Sequence, residues 1–267
     1  MLTRYFCTGL LLALSVGLLF GATAGGVLVA LLFGFMAGNF ACSLVHRLPH
    51  EKSILAHTPY CGICSHPLSE MDLLPVIGAL MLHHRCRYCG TPYPTSHTWT
   101  ELLVGLLFVL AFLHYNFAGQ FLLVTLIGVF LITLAAIEVN EGIIMEKIIL
   151  CVVVFGMLNR VLQDATLFNF FNGGLLGLIV GAVLWRKQIK PVGHIYNLPK
   201  PVELLAVGGI CVGGHGIPTF LALFALFYGA DWLIRKIVRA PKLPIMTVSF
   251  GLAVTLLVLY PKLMLMS

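Results

Sequence analysis

The chain has 267 residues, 60% of them hydrophobic and 10% charged, with a mean hydropathy of +1.01. A soluble domain needs a polar surface, so these values exclude the ordinary soluble classes and place the chain among membrane proteins. The net charge of +6 does not signal nucleic acid, because in a membrane protein an excess of Lys and Arg chiefly reports orientation.

A membrane-spanning helix needs about 20 apolar residues. The first apolar run, 6–40, is too long for the hydrophobic region of a cleaved signal peptide, and no small-residue cleavage site leads into a soluble mature domain. It reads as a retained first span near 8–37. Charged or polar punctuation divides the rest into spans near 99–116, 119–138, 143–161, 170–186, 203–213, 217–234 and 244–262. The sixth is short, and Gly208, Gly209, Gly213 and Gly214 loosen its end. Spans six and seven therefore read either as two helices or as one bent helix. The fold class expected is an all-α polytopic membrane protein of about eight transmembrane helices, with a small loop module between the first two.

Orientation follows from charge. With the N-terminus outside, the inner loops are 38–98, 139–142, 187–202 and 235–243. With the adjoining span ends they hold Arg47, Lys52, Arg85, Arg87, Lys147, Arg186, Lys187, Lys190, Lys200, Arg235, Lys236, Arg239 and Lys242, while the outer side keeps Arg4, Arg160 and Lys262. Thirteen against three is the positive-inside pattern. Seven crossings would put the cluster at 235–242 outside. The expected divisions are 1–37, a first transmembrane helix; 38–98, a cytosolic module; and 99–267, a transmembrane helical domain.

The module contains Cys61-Gly-Ile-Cys64 and, after 21 intervening residues, Cys86-Arg-Tyr-Cys89. Two such turns present four thiolates, the donor set of a tetrahedral zinc ribbon. A cytosolic location keeps thiols reduced and favours metal over disulfides. The alternative is a pair of redox CxxC motifs. Four protein thiolates leave no open coordination position, so the zinc is expected to be structural. It would also supply the folding energy of a segment poor in apolar residues. His66, His83, His84 and His97 read as solvated loop residues, and Cys7, Cys42, Cys151 and Cys211 as small buried hydrophobes.

Gly38-Asn-Phe-Ala-Cys-Ser-Leu-Val-His-Arg-Leu-Pro49, the double CxxC, Met71-Asp-Leu-Leu-Pro75, and Tyr93-Pro leading to Glu101-Leu-Leu together resemble the N-terminal domain of type IV prepilin peptidases. Leu204-Leu-Ala-Val-Gly-Gly209 with its Gly-rich sequel is similar to the family's segment after its second catalytic aspartate. The resemblance covers essentially the whole chain and makes 99–267 a peptidase-like domain. It implies a multi-pass protein of the bacterial inner membrane serving type IV pilus or type II secretion assembly. The implied partners are the lipid bilayer and the N-terminal segments of prepilins or pseudopilins, with no nucleic acid. It also implies S-adenosylmethionine, because many members methylate the new N-terminus, although no nucleotide-binding signature accompanies it. Family members cleave with two intramembrane aspartates, one activating water while the other protonates the leaving group.

Both catalytic segments depart from that pattern. Ile137-Glu138 stands where Ile-Asp is expected, and Met145-Glu146 replaces a Pro-Asp pair. The carboxylate of Glu138 is one methylene longer, and a misplacement of about 1 Å can cost about a hundredfold in rate. Aligning Leu204-Leu-Ala puts Leu198-Pro-Lys-Pro201-Val-Glu203 against Gly-x-Gly-Asp-x-Lys, so Pro201 takes the second aspartate's place. Leu198 and Lys200 replace both glycines, and Glu203 reverses a lysine's charge. Glu203 is two residues from the expected position, about 200° around a helix, although Pro199 and Pro201 could unwind the turn. Candidate catalytic residues are therefore Glu138 and Glu203, while Glu101 and Asp231 read as acids anchoring helix ends. Gly213-Gly-His-Gly216 reads as a flexible outer turn. Gly25-Gly26 and Gly173-Gly174 read as sites of close helix packing. Three functions stay open: a family member with reduced or lost peptidase activity, an active peptidase using Glu138 and a non-standard second acid, or a non-catalytic zinc-containing membrane adaptor.

Overall fold

The structure, a computed structural model, describes residues 15, 21–51, 53, 61, 63–67, 69, 72, 76–92, 95–163, 167–184, 190–192, 195–197, 200–238 and 250–255. The chain divides into two compact units, Met1–Phe117 and Ala118–Ser267.

The first unit contains helices α1 (Ala22–Arg47), α2 (Ile77–Met81) and α3 (Ser96–Tyr115). Helices α1 and α3 run antiparallel in close contact, because small residues remove the side chains that would hold them apart. A Cβ on Gly34 would lie 2.8 Å from the Gly105 backbone, and one on Gly38 would lie 2.9 Å from the Glu101 backbone. Gly26 does the same for the Phe112 ring, as its sequence pattern suggested. The sequence places the end of the first span at residue 37, where Gly38 and Asn39 interrupt the apolar run. The helix instead continues to Arg47 and buries Ala41, Cys42, Leu44 and Val45. Apolar spacing at 41, 42, 44 and 45 keeps one helical face inward after the fully apolar stretch has ended. Residues 8–20, apart from Ser15, lie outside the described residues.

The second unit contains α4 (Gly119–Glu141), α5 (Glu146–Val161), α6 (Leu167–Leu184), a short antiparallel pair β1 (Lys190–Val192) and β2 (Ile195–Asn197), α7 (Lys200–Val212), a 3-10 turn (Gly214–Gly216) and α8 (Ile217–Val238). Helix α4 is the most enclosed of the long apolar helices, with Val124, Ile127, Leu131, Leu134 and Ile137 fully buried. It ends at Gly142, whose left-handed backbone (φ 71°) caps the helix by donating its N–H to the Glu138 carbonyl. Helix α6 lies against α7 along Gly173, Gly174, Gly177 and Gly181. The Gly173-Gly174 pair thus permits close approach, as the sequence suggested. The sequence left open one bent helix at 203–234, but the structure resolves two. Helix α7 stops at Val212, and Gly213 (φ 80°) breaks the chain before the 3-10 turn. Of the expected last span, 244–262, the described residues 250–255 are helical.

Among the described residues, four segments can cross a membrane by length and composition: Thr23–Arg47, Ser96–Tyr115, Gly119–Glu141 and Gly214–Ile234. Phe171–Val183 and Val202–Val212 are shorter apolar helices. The short β1–β2 pair does not alter the class. The protein is an all-α polytopic membrane protein.

Candidate metal centre and acidic helix ends

Each CxxC forms the same turn. In the first, the Cys61 N–H donates to the His66 carbonyl and the Ser65 N–H donates back to the Cys61 carbonyl, both at 2.9 Å. In the second, Cys86 N–H to Thr91 carbonyl and Gly90 N–H to Cys86 carbonyl repeat the pattern at the same lengths. The fourth residue after the first cysteine is left-handed in both turns: Ser65 at φ 54° and Gly90 at φ 69°. These closed backbone rings aim two sulfurs per turn at one point, and an isolated bridge between Arg85 and Pro92 closes the second turn's base.

The result is convergence of all four sulfurs. Those of Cys61, Cys64, Cys86 and Cys89 lie within 4.8 Å of one another, and Cys61 Sγ is 3.8 Å from Cys89 Sγ. A tetrahedral ion bonded at about 2.3 Å sets its sulfurs about 3.8 Å apart. A disulfide would need about 2.05 Å, and all four are free thiols. The donor set and its spacing fit a closed tetrahedral metal site.

The electrostatics suit thiolate chemistry. Cys89 is lowered to about 6, first by the Thr91 hydroxyl and then by the Thr91 backbone N–H, with the hydroxyl 3.2 Å from the sulfur. Cys61 is lowered by the N–H groups of Cys64 and Ile63. Cys64 moves the other way, to about 11. The His66 N–H pulls it down, but removal from water and the neighbouring sulfurs outweigh that pull. Four adjacent thiols cannot all ionise without a cation between them.

Two further contacts hold the segment between the knuckles, and neither is evident from cysteine spacing. Arg87, inside the second CxxC, donates from Nε to Asp72 Oδ1 at 2.8 Å, with Nη2 2.7 Å from the same oxygen. The other oxygen of Asp72 accepts the Ser69 N–H. Covering the Asp72 carboxyl opposes its ionisation, but bonds from Ser69 and Arg87 prevail and hold it below the usual range. The second contact joins module to helix: Glu101 Oε2, on α3, accepts the Val76 N–H at 2.8 Å. Sequence reading flagged Glu101 as an acid at a helix end, but not this partner. Of the four histidines read as solvated loop residues, His97 departs from that reading, whereas His66 and His83 are exposed outside the helices. His97 is a residue of α3, half-buried and stacked on His46 of α1 with their Nε2 atoms in contact, and His66 lies against the Tyr88 ring. Among the scattered cysteines, Cys42 and Cys211 are buried and Cys151 half-buried; Cys7 lies outside the described residues.

Glu138 and Glu203 of the second unit stand at helix ends. Glu138 lies in the last turn of α4, half-buried beside the fully buried Ile137, and Glu203 lies half-buried in the first turn of α7. Both helices contact α5. Cys211 of α7 meets Gly156 and bonds the Val152 carbonyl, and Gly213 meets Arg160, so α5 and α7 run parallel in register. Counting back eight residues from Cys211 reaches Glu203. The same step along α5, from midway between Val152 and Gly156, reaches Glu146. Glu138, Glu146 and Glu203 therefore belong to one end of this unit. Asp231 is half-buried far along α8. Pro201 is the second residue of α7, so no carboxylate occupies that position.

Fold and site define a polytopic helical membrane protein with a four-cysteine module inserted after an apolar helix. Residues 32–115 match the bacterial peptidase A24 N-terminal domain, a stretch that includes both knuckles and α3. Three relatives are named prepilin leader peptidase/N-methyltransferase. That of Klebsiella pneumoniae is 30% identical over 212 residues, covering 72% of this chain and 87% of the relative. That of Bacillus subtilis is 23% identical, covering 76% and 81%. That of Myxococcus xanthus is 29% identical, covering 57% of this chain and 45% of the longer relative. The chain belongs to the prepilin leader peptidase/N-methyltransferase family. No solved structure matches it.

Proposed function

We propose that the chain is a divergent member of this family, a bacterial inner-membrane protein that engages prepilin or pseudopilin leaders and has reduced or lost peptidase activity. The observation that carries this reading is Pro201 at the place where the resemblance puts the second catalytic aspartate. A proline side chain can neither activate water nor deliver a proton, and aspartic chemistry needs two coupled carboxylates. Glu138 supplies a carboxylate at the first position, one methylene out of place.

The four thiolates would hold zinc as a structural ion, on the cytosolic face by the charge bias of the loops. The ion would fold the module and offer no open position for chemistry. Methyl transfer from S-adenosylmethionine remains a family expectation that no residue of this chain singles out.

One observation favours a second reading. Glu138, Glu146 and Glu203 share one end of the second unit, so Glu138 could work with a non-standard acid. Co-expression with a prepilin in a strain lacking its own peptidase separates the readings. We expect no mature pilin, with the prepilin co-purifying. Processing abolished by Glu138→Ala would overturn the degenerate reading and establish the second. Neither processing nor prepilin binding would instead favour a membrane adaptor. Metal analysis of Cys61→Ser tests the module, with loss of zinc expected and unchanged zinc refuting the assignment.

A further inference from the structure

Helix α2 is only five residues long, yet it turns two large apolar side chains outward: Leu80 is 62% and Met81 69% exposed. One bond marks its level along α3. The residue before it, Val76, donates its N–H to Glu101, which lies five residues inside α3, about 7.5 Å along the axis from its first residue. The start of α2 therefore lies level with the first turns of a membrane-spanning helix, rather than out in the aqueous module. Trp99, two residues before Glu101, is also exposed, and exposed tryptophan at a helix end is a mark of the headgroup level. Beyond α2 the chain turns sharply at His83 and His84, both left-handed, and presents the exposed cation Arg85. The acid Asp72 is already engaged by Arg87.

We propose that α2 is an interfacial anchor: Leu80 and Met81 enter the headgroup–acyl boundary at the level marked by Trp99, while Arg85 meets anionic lipid phosphates. The occupant of this apolar face is thus the bilayer surface itself. Apolar side chains backed by cations are the composition of interfacial helices, and the Val76–Glu101 bond holds this one where lipid begins. The anchor would fix the four-cysteine module against the membrane instead of leaving it on a swinging loop. Assigning it to the inner leaflet rests on the cytosolic reading of the module. Lipid contact does not, because a nanodisc exposes both faces and the two can fail separately.

The test uses the full chain in nanodiscs. Met81→Trp, in a background carrying Trp99→Phe, Trp185→Phe and Trp232→Phe, places a lone fluorophore on α2. We expect brominated phospholipid to quench it and aqueous iodide to leave it bright. Adding Leu80→Glu should reverse that preference. Quenching by iodide alone would mean that water covers the face and would overturn the proposal. So would protection from both quenchers, the mark of a second copy or another protein surface. In the unmodified protein, hydrogen exchange at 77–82 should slow at least severalfold when anionic lipid is included in the disc. Indifference to lipid charge would overturn the role given to Arg85.

Discussion

Ser65 and Gly90 occupy equivalent places in the two knuckles, and both are left-handed. Nothing lies within 4 Å of a Cβ built on Gly90, so a substitution there is opposed by backbone conformation alone. Left-handed geometry costs a non-glycine residue about 1–2 kcal/mol, and a β-branched residue fares worst. Gly90→Val should therefore speed zinc release to a chelator by roughly tenfold, while Ser65→Gly should slow it or leave it unchanged. Equal effects of the two would show that the turn does not control the site. The Asp72–Arg87 pair makes a milder case. Arg87 is half exposed, so solvent screening limits the pair to about 1 kcal/mol, and Asp72→Asn should weaken zinc retention only a few-fold. Cysteine spacing made the four-sulfur cluster legible because the CxxC turn is a local structure. Asp72–Arg87 and Glu101–Val76 were not legible, because contacts 15 and 25 residues apart depend on how the intervening chain closes.

Helices meet here through glycine. On α6, a Cβ at Gly177 would lie 2.2 Å from the Leu205 carbonyl oxygen, a backbone atom that cannot swing aside. On α8, Gly229 has nothing within 4 Å. Gly177→Val should thus separate α6 from α7 and lower thermal stability in detergent by several degrees, whereas Gly229→Ala should be neutral or slightly stabilising, alanine being the better helix former. A comparable loss at both positions would argue against close α6–α7 packing. The same logic shows what the sequence reveals at this scale. Long apolar runs expose α3, α4 and α8 because hydropathy is a local property. The end of α1 is obscured because residues 38–47 mix polar and apolar residues, and only packing decides that one face stays buried. The break between α7 and α8 was half legible: the glycines marked a loose point, but the sequence did not say whether the chain would bend or stop there.

At the scale of the whole molecule, the family's N-terminal domain is matched at residues 32–115, while the alignment behind the proposed function replaces the second catalytic aspartate with Pro201. The two CxxC turns, Glu101 and the apolar helices needed to build a prepilin-peptidase-like protein all stand in place. On the proposed alignment Pro201 takes the place of a catalytic acid, and its position allows a sharp test. As the second residue of α7, it occupies a helix's first turn, where proline is tolerated because its missing N–H would lack an intrahelical partner anyway. Aspartate suits the same turn, since the N-terminal end of the helix dipole favours negative charge. Pro201→Asp should therefore leave folding intact, with zinc content unchanged. Alone it restores one carboxylate opposite a misplaced Glu138, and processing should stay weak, about a hundredfold below that of an intact pair. Glu138→Asp alone lacks the second acid and should give none. The double variant should process prepilin well above the sum of the singles, because two carboxylates that share a proton act as a unit. If the double variant folds, keeps its zinc and still cleaves nothing, then the lost glycines at Leu198 and Lys200 or the alignment through Pro201 must account for the failure. The activity would then have been lost through backbone geometry as well as through the missing acid.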